Sequence, residues 1–252
     1  MMKGILIDCY RLKDKIVLWI KEGKNNLRVE DSFIPKIYVK DNNLKELKRK
    51  LFLNQIRSEY ARKKNFFGKE NLVLEIKVYD ISKYHSLVKF MENLENYNLE
   101  IYNADLQLEE YYMFEKDLFP LAKIEFELND FNIKSIKNLD DIEDIDYKVP
   151  DFKIAKILVK TKDSLFKGFN TNVEKIYFNS KILEGTEQEI LAEFKDLFEN
   201  LDPDIVWTEN GNLAIPFLKD RFKKYNIQFQ FNRFDGDDFE YKEGDFYDTY
   251  SR

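Results

Sequence analysis

Histidine and cysteine are almost missing from this 252-residue chain, which holds one of each, His85 and Cys9. A single thiol excludes an internal disulfide, and one histidine beside one cysteine excludes zinc sites of the clustered Cys/His kind. Both residues therefore read as packing and surface positions. Long apolar runs are lacking as well. Residues 16–20 fall far short of the roughly 20 residues that span a bilayer, and no apolar signal region opens the chain. The expectation is a cytoplasmic protein with no membrane partner. Internal repeats and low-complexity tracts are also absent from the sequence.

What the chain does hold is apolar and charged. With 44% hydrophobic and 15% aromatic residues it can fill one large core or two modest ones, and two is the expected division. The net charge of −6 argues against indiscriminate coating of nucleic acid, but its distribution says more. Between Lys45 and Lys69 nine basic residues face only Glu46 and Glu59, which leaves +7 in 25 residues and −13 for the remainder. Much of that negative charge lies in residues 140–151 and 235–248. The second of these acidic tracts has no EF-hand ligand register and reads as a solvated segment.

Alternation predicts a hairpin from residues 4–10 and 15–20, and a further strand over 33–39 with Pro35 near its start. Leu44, Leu47, Leu51, Ile56 and Tyr60 recur at helical spacing, which predicts one basic helix over 44–64. Residues 71–79, 84–94 and 99–104 read as a β-α-β unit, 106–117 as a helix, and 124–128 with 133–137 as a second hairpin. The acidic run 140–150 is the expected domain boundary. Beyond it, 152–160, a short strand within 165–169, and 175–179 predict a meander. A helix follows over 187–200, capped by Thr186 with Glu189 three residues on, then a strand over 204–207 and a helix over 216–225.

Residues 202–218 carry the most specific pattern. Asp202, Pro203, Asp204, Ile205, Thr208, Asn210, Gly211, Pro216 and Leu218 stand in the order of the second exonuclease motif of family B DNA polymerases, which the stretch resembles. Asn212 stands where that family has a loop Asp, and Ala214 where it has the metal-binding Asp. Upstream, residues 152–161 fit the first exonuclease motif and end on its Thr, with Leu158 in place of the Asp and Lys160 in place of the Glu. Two-metal phosphodiester cleavage needs clustered carboxylates to hold both ions and to activate water. A methyl group offers no oxygen, and an ammonium repels the ion. The third motif is not met before Arg252.

The opening residues 4–10, residues 33–39 and the Asp117-Leu118-Phe119-Pro120 segment fit the order of the N-terminal domain in archaeal family B polymerases, most closely the paralogues with an inactivated exonuclease site. The resemblance implies an α+β chain. Its first part, 1–139, corresponds to a mixed β/α N-terminal domain, and 150–252 to an incomplete ribonuclease-H-like, 3′–5′ exonuclease-like domain without activity. In active relatives the N-terminal domain captures template uracil; the corresponding candidate base pocket here is Pro35, Gln107, Tyr111 and Tyr112. Gln107 replaces a Pro and Tyr111 an Arg of the family, and packing of the tyrosines in a helix competes with base stacking.

The function expected on these grounds is DNA binding in replication or repair, with Lys48, Arg49, Arg57, Arg62, Lys63 and Lys64 contacting the backbone. Single-stranded template and a polymerase catalytic part or other replication protein are the expected partners. No metal is expected in this chain; magnesium belongs only with a polymerase palm elsewhere. Whether the chain is a front portion, a split subunit or a stand-alone accessory stays open. Two alternatives compete: a nuclease with displaced ligands at Asp151, Asp163, Asp202 or Asp204, and a non-catalytic protein-interaction module whose second half docks a replication protein.

Overall fold

Apolar and polar residues alternate from Met2 onward. In the computed structural model, which describes residues 1–65, 67–94, 99–141, 143 and 149–233, that alternation becomes a meander. Strands β1 (Met2–Leu12), β2 (Lys15–Glu22) and β3 (Asn25–Asp31) pair antiparallel in order. Gly4 lets β1 and β2 approach: a Cβ there would meet Ile20 Cγ2 at 2.5 Å and the Lys21 carbonyl oxygen at 3.0 Å. The chain then runs through β4 (Lys36–Lys40), α1 (Leu44–Leu53), β5 (Glu59–Lys64), β6 (Glu70–Lys77), α2 (Tyr84–Glu92), β7 (Glu100–Tyr102) and α3 (Leu108–Glu115). It returns as the hairpin β8 (Lys123–Asn129) and β9 (Asn132–Asn138), which closes the meander into a five-stranded barrel ordered β1-β2-β3-β9-β8.

The insertion between β3 and β8 is a β-α-β-β-α-β unit with sheet order β5-β6-β4-β7. The β-α-β expectation thus holds only in a split form. β6 and β7 run parallel, but each pairs with β4 lying between them. Leu47 and Leu51 of α1 are fully buried with Leu74 and Ile76 of β6, and α2 adds Val88 and Met91 to the same cluster.

The single basic helix expected over 44–64 is corrected by the structure. α1 ends at Leu53 because residues 51–56 form a Schellman motif. Gln55, at φ +63°, donates to the Phe52 carbonyl, and Ile56 donates to the Leu51 carbonyl at 2.9 Å. After that reversal residues 59–64 pair with β6 from Glu59↔Glu75 to Lys64↔Glu70, so sheet pairing overrides their helical spacing.

Met1–Pro150 and Asp151–Arg252 form separate compact units. In the second, β10 (Ile154–Thr161), β11 (Val173–Phe178) and β12 (Lys181–Glu184) make an antiparallel meander. Helix α4 (Glu187–Leu201) follows, then β13 (Ile205–Thr208), which adds parallel to β10, and α5 (Gly211–Lys224). The sheet order is β12-β11-β10-β13. Residues 165–167 form a turn of 3₁₀-helix rather than the expected strand, and α5 starts at Gly211 with Pro216 inside it, not at its start. Ile190, Leu191, Phe194 and Phe198 recur on one face of α4 and meet Ala155, Ile157, Ile176 and Leu183 of the sheet. Thr186 caps α4 as expected: its hydroxyl accepts from the Glu189 amide while the Glu189 carboxylate accepts from the Thr186 amide. Among the described residues no helix is long and apolar enough to cross a membrane. The acidic tract 235–248 lies outside the described residues.

Candidate functional site

Leu158 and Lys160 lie two residues apart on β10, so both project from the same face of the sheet. The parallel neighbour β13 ends at Thr208, and the chain turns at Asn210, held in the left-handed region at φ +48°, before entering α5. Asn has a lower cost there than most residues. Its carbonyl accepts from the Leu213 and Ala214 amides, which brings Ala214 to the strand ends. Leu158, Lys160 and Ala214 thus come together, with Ser164, Glu209 and Leu213, around a hollow of about 190 Å³. Glu209 is the one carboxylate among the described residues lining it, and sequence reading missed it. Lys160 adds a positive charge to the same rim. Among the described residues no three His, Cys, Asp or Glu side chains gather as metal ligands.

Carboxylates do cluster, but at the opposite end of the same strands. Asp204 accepts the Lys153 amide at 2.9 Å and Arg233 at 3.0 Å, and Asp202 takes Arg233 through its Nε and Lys153 Nζ at 3.9 Å. Both acids precede the four-residue strand β13, whereas Glu209 and Asn210 follow it, a separation of roughly 16 Å from Asp204 to Glu209 at about 3.3 Å per residue. Asp163 and Asp151 do not line the hollow either. The displaced-ligand alternative therefore finds its four acids scattered or already neutralised.

The basic residues are distributed over two elements rather than one helix. Lys48 and Arg49 are on α1, Arg57 lies in the connection, and Arg62, Lys63 and Lys64 sit on β5, the outer strand of its sheet. Lys48 Nζ stands 4.4 Å from the centroid of the Tyr60 ring, and Lys63 Nζ 4.7 Å from that of Tyr38. Arg62 reaches Glu70 at 3.4 Å, an exposed pair of little energetic weight. All six basic residues except the half-buried Lys48 are exposed. Tyr60, assigned by spacing to an apolar helix face, is instead 47% exposed on β5. The alternation Tyr60, Arg62, Lys64 was the signal for a strand.

The candidate base pocket is corrected. Tyr111 and Tyr112 are buried, and the ring of Phe33 packs edge-on against both, with centroids at 5.3 and 5.5 Å. The Tyr111 hydroxyl donates to the Lys36 carbonyl at 2.9 Å and accepts from Asn103 at 2.9 Å. Tyr112 donates to Asp31 at 2.8 Å, and its hydroxyl is pushed far above the usual range by burial and by that carboxylate. Pro35 is buried and Gln107 is exposed at the start of α3. Two satisfied core tyrosines offer no open ring face to a base.

A further polar cluster went unread in the sequence. Glu187, the first residue of α4, is buried and accepts from Arg221 Nε at 2.7 Å, from the Val173 amide at 2.8 Å and from the Tyr225 hydroxyl at 2.8 Å. Burial pushes its carboxyl up, but the Arg221 guanidinium, the Val173 amide and Tyr225 together hold it below the ordinary value of 4.5. The arrangement ties α4 to α5 and the start of β11; it is structural chemistry.

This architecture, a barrel with an inserted split β-α-β unit followed by a β12-β11-β10-β13 sheet with two helices, is similar in fold to part of a solved family B DNA polymerase. A solved structure of the family B DNA polymerase from the hyperthermophilic archaeon Pyrobaculum calidifontis matches 92% of this chain with a TM-score of 0.68 and 15% sequence identity. This chain covers 34% of that polymerase. The sequence matches no protein-family profile and no curated protein.

Proposed function

We propose that this chain is a DNA-binding, non-cleaving module of the replication or repair machinery, comprising a family B polymerase N-terminal domain and a ribonuclease-H-like exonuclease-type domain. The observation that carries the reading is the convergence of Leu158, Lys160 and Ala214 on one hollow at the ends of β10 and β13. These are the positions where the sequence resemblance puts the metal-binding carboxylates. Apolar and cationic groups at these three positions leave Glu209 as the one carboxylate among the described lining residues, too few oxygen donors for two divalent ions. DNA contact falls to the cations of α1, β5 and their connection, Lys48, Arg49, Arg57, Arg62, Lys63 and Lys64, whose clustered positive charge favours phosphates. The test is a titration of labelled DNA by fluorescence anisotropy at several salt concentrations, with a parallel incubation in manganese. Affinity that falls with salt, and DNA left intact, are expected; salt-indifferent affinity or released nucleotides would sink the proposal.

A second reading, a protein-interaction module, is favoured by one observation. α4 and α5 cover the same face of the second sheet, joined in one apolar cluster with Ala155 and Ile157. Alternation and register put Ile154, Ile182, Ile205 and Trp207 on the other face, where all four are exposed, Trp207 by 59%. On this reading the Trp207→Lys variant loses binding to a family B polymerase catalytic fragment, and the wild-type chain has no salt-sensitive DNA affinity. On the first, that substitution leaves DNA affinity unchanged.

A further inference from the structure

Positive charge on an outer strand has a bland explanation, because lysines there discourage edge-to-edge pairing between molecules. That explanation does not account for the apolar groups among the charges. Tyr60, Arg62 and Lys64 alternate on the face of β5 that looks toward α1; their partners on β6 are Leu74, Leu72 and Glu70. Leu72 is 52% exposed, so the end of this hairpin extends beyond the cover of α1. On α1, Leu47 and Leu51 face the sheet, and Lys48 and Phe52, each one position later, form a parallel row about 100° around the helix. Lys48 reaches the Tyr60 ring, so this row flanks β5. Phe52 is 73% exposed. An aromatic ring, a second aromatic and an aliphatic chain thus stand in solvent on the same elements as Lys48, Arg62 and Lys64. Arg57 and Lys64 have no ion-pair partner among the described residues.

We propose that the Lys48–Phe52 row of α1 and the Tyr60–Arg62–Lys64 row of β5 form a stacking seat for single-stranded DNA. A base lies on the solvent-facing part of the Tyr60 ring, and flanking phosphates are taken by Lys48, Arg62 and Lys64. This deepens the DNA-binding reading and rests on it. A duplex keeps its bases stacked on each other and offers only phosphates to such a surface, whereas a single strand offers ring faces that aromatic side chains hold without regard to sequence. Interleaved rings and cations therefore favour the unpaired strand, while cations alone bind both forms.

The experiment compares wild type, Tyr60→Ala and Tyr60→Phe by anisotropy against an oligothymidine and a duplex of equal length, each at two salt concentrations. Tyr60→Ala should lose roughly 5- to 150-fold in affinity for the single strand, the equivalent of one stacked base. Its salt dependence and duplex affinity should not change, and Tyr60→Phe should bind like wild type. An unaltered single-strand affinity in Tyr60→Ala overturns the seat while leaving DNA binding intact. Failure of the wild type to bind either DNA form overturns the broader reading itself. Photocrosslinking of wild type to an iodouracil-containing strand gives a measurement without any substitution: adducts on Tyr60 support the seat, and adducts confined to other residues refute it.

Discussion

Arg221 in the second unit is 4% exposed and gives its guanidinium to Glu187 and Asn172, whereas Arg49, Arg57 and Arg62 in the first stand in solvent. The acids differ in the same way. Asp202 and Asp204 of the second unit are matched by Arg233 and Lys153, while among the described residues the exposed cations of β5 have Glu70 as their one ion-pair partner. Arg221, Arg233, Asp202 and Asp204 of the second unit are engaged in holding the fold, whereas the cations of β5 are displayed. Charged groups already engaged in ion pairs, as these four are, have little left for an ion or a phosphate. This contrast is compatible with the proposed reading, a hollow that does not cleave in one unit and a DNA-contacting surface in the other.

Breaking the internal pairing of the second unit should have the largest effect. Glu187→Gln leaves Arg221 buried with half its partner, a loss of about 3–5 kcal/mol. Urea unfolding followed by hydrogen exchange in α4 and α5 measures it, with the first unit as the unaffected control. The pH dependence carries a sign. A carboxyl held below 4.5 when folded contributes its full stability above that pH and loses it as pH falls through the depressed value. Acid destabilisation of the second unit should therefore begin below pH 4.5 and be weakened in Glu187→Gln, whose amide does not titrate.

Next in size is the reversal of the hollow. Leu158→Asp, Lys160→Glu and Ala214→Asp together turn its rim from formally neutral, with Lys160 against Glu209, to strongly anionic and supply the oxygen donors that manganese needs. In the triple variant, manganese at a hundredfold excess over its dissociation constant should stabilise the chain by about 2.7 kcal/mol in thermal unfolding. The wild-type chain should show no such shift. Equal stabilisation of both would mean that the ion binds elsewhere.

The contrast between α4 and α1 also separates what was legible in the sequence from what was not. α4 announces itself: Thr186 and Glu189 stand at capping-box spacing ahead of a clean apolar row, and the predicted and observed helices nearly coincide. α1 hides its end, because the residue that reverses the chain is Gln55, at a position where glycine is the usual signal. The apolar row then continued by accident into Ile56 and Tyr60, which belong to a loop and a strand. Leu158, Lys160 and Ala214 were legible because strand and turn motifs fixed their register. The base pocket was not, since burial of Tyr111 and Tyr112 depends on Phe33, Asp31 and Lys36, all distant in sequence. Thr186→Ala tests the legible case: the loss of one exposed cap should cost about 1 kcal/mol in α4 stability.

The smallest single effects belong to the displayed charges, and their summation is what distinguishes display from structure. Each of Arg57→Gln, Arg62→Gln, Lys63→Gln and Lys64→Gln should lower the slope of log affinity against log salt by about 0.7 for a single strand. Between 50 and 200 mM salt that amounts to roughly a threefold smaller loss of affinity per residue. Thermal stability should hardly move, because these side chains are exposed and the one ion pair among them, Arg62 with Glu70, is a surface pair. Combined, the four substitutions should add in the slope and leave the unfolding midpoint where it was. If instead they lower stability and leave the slope intact, the cations of β5 serve the sheet as those of the second unit serve its core, and the distinction between the two units fails.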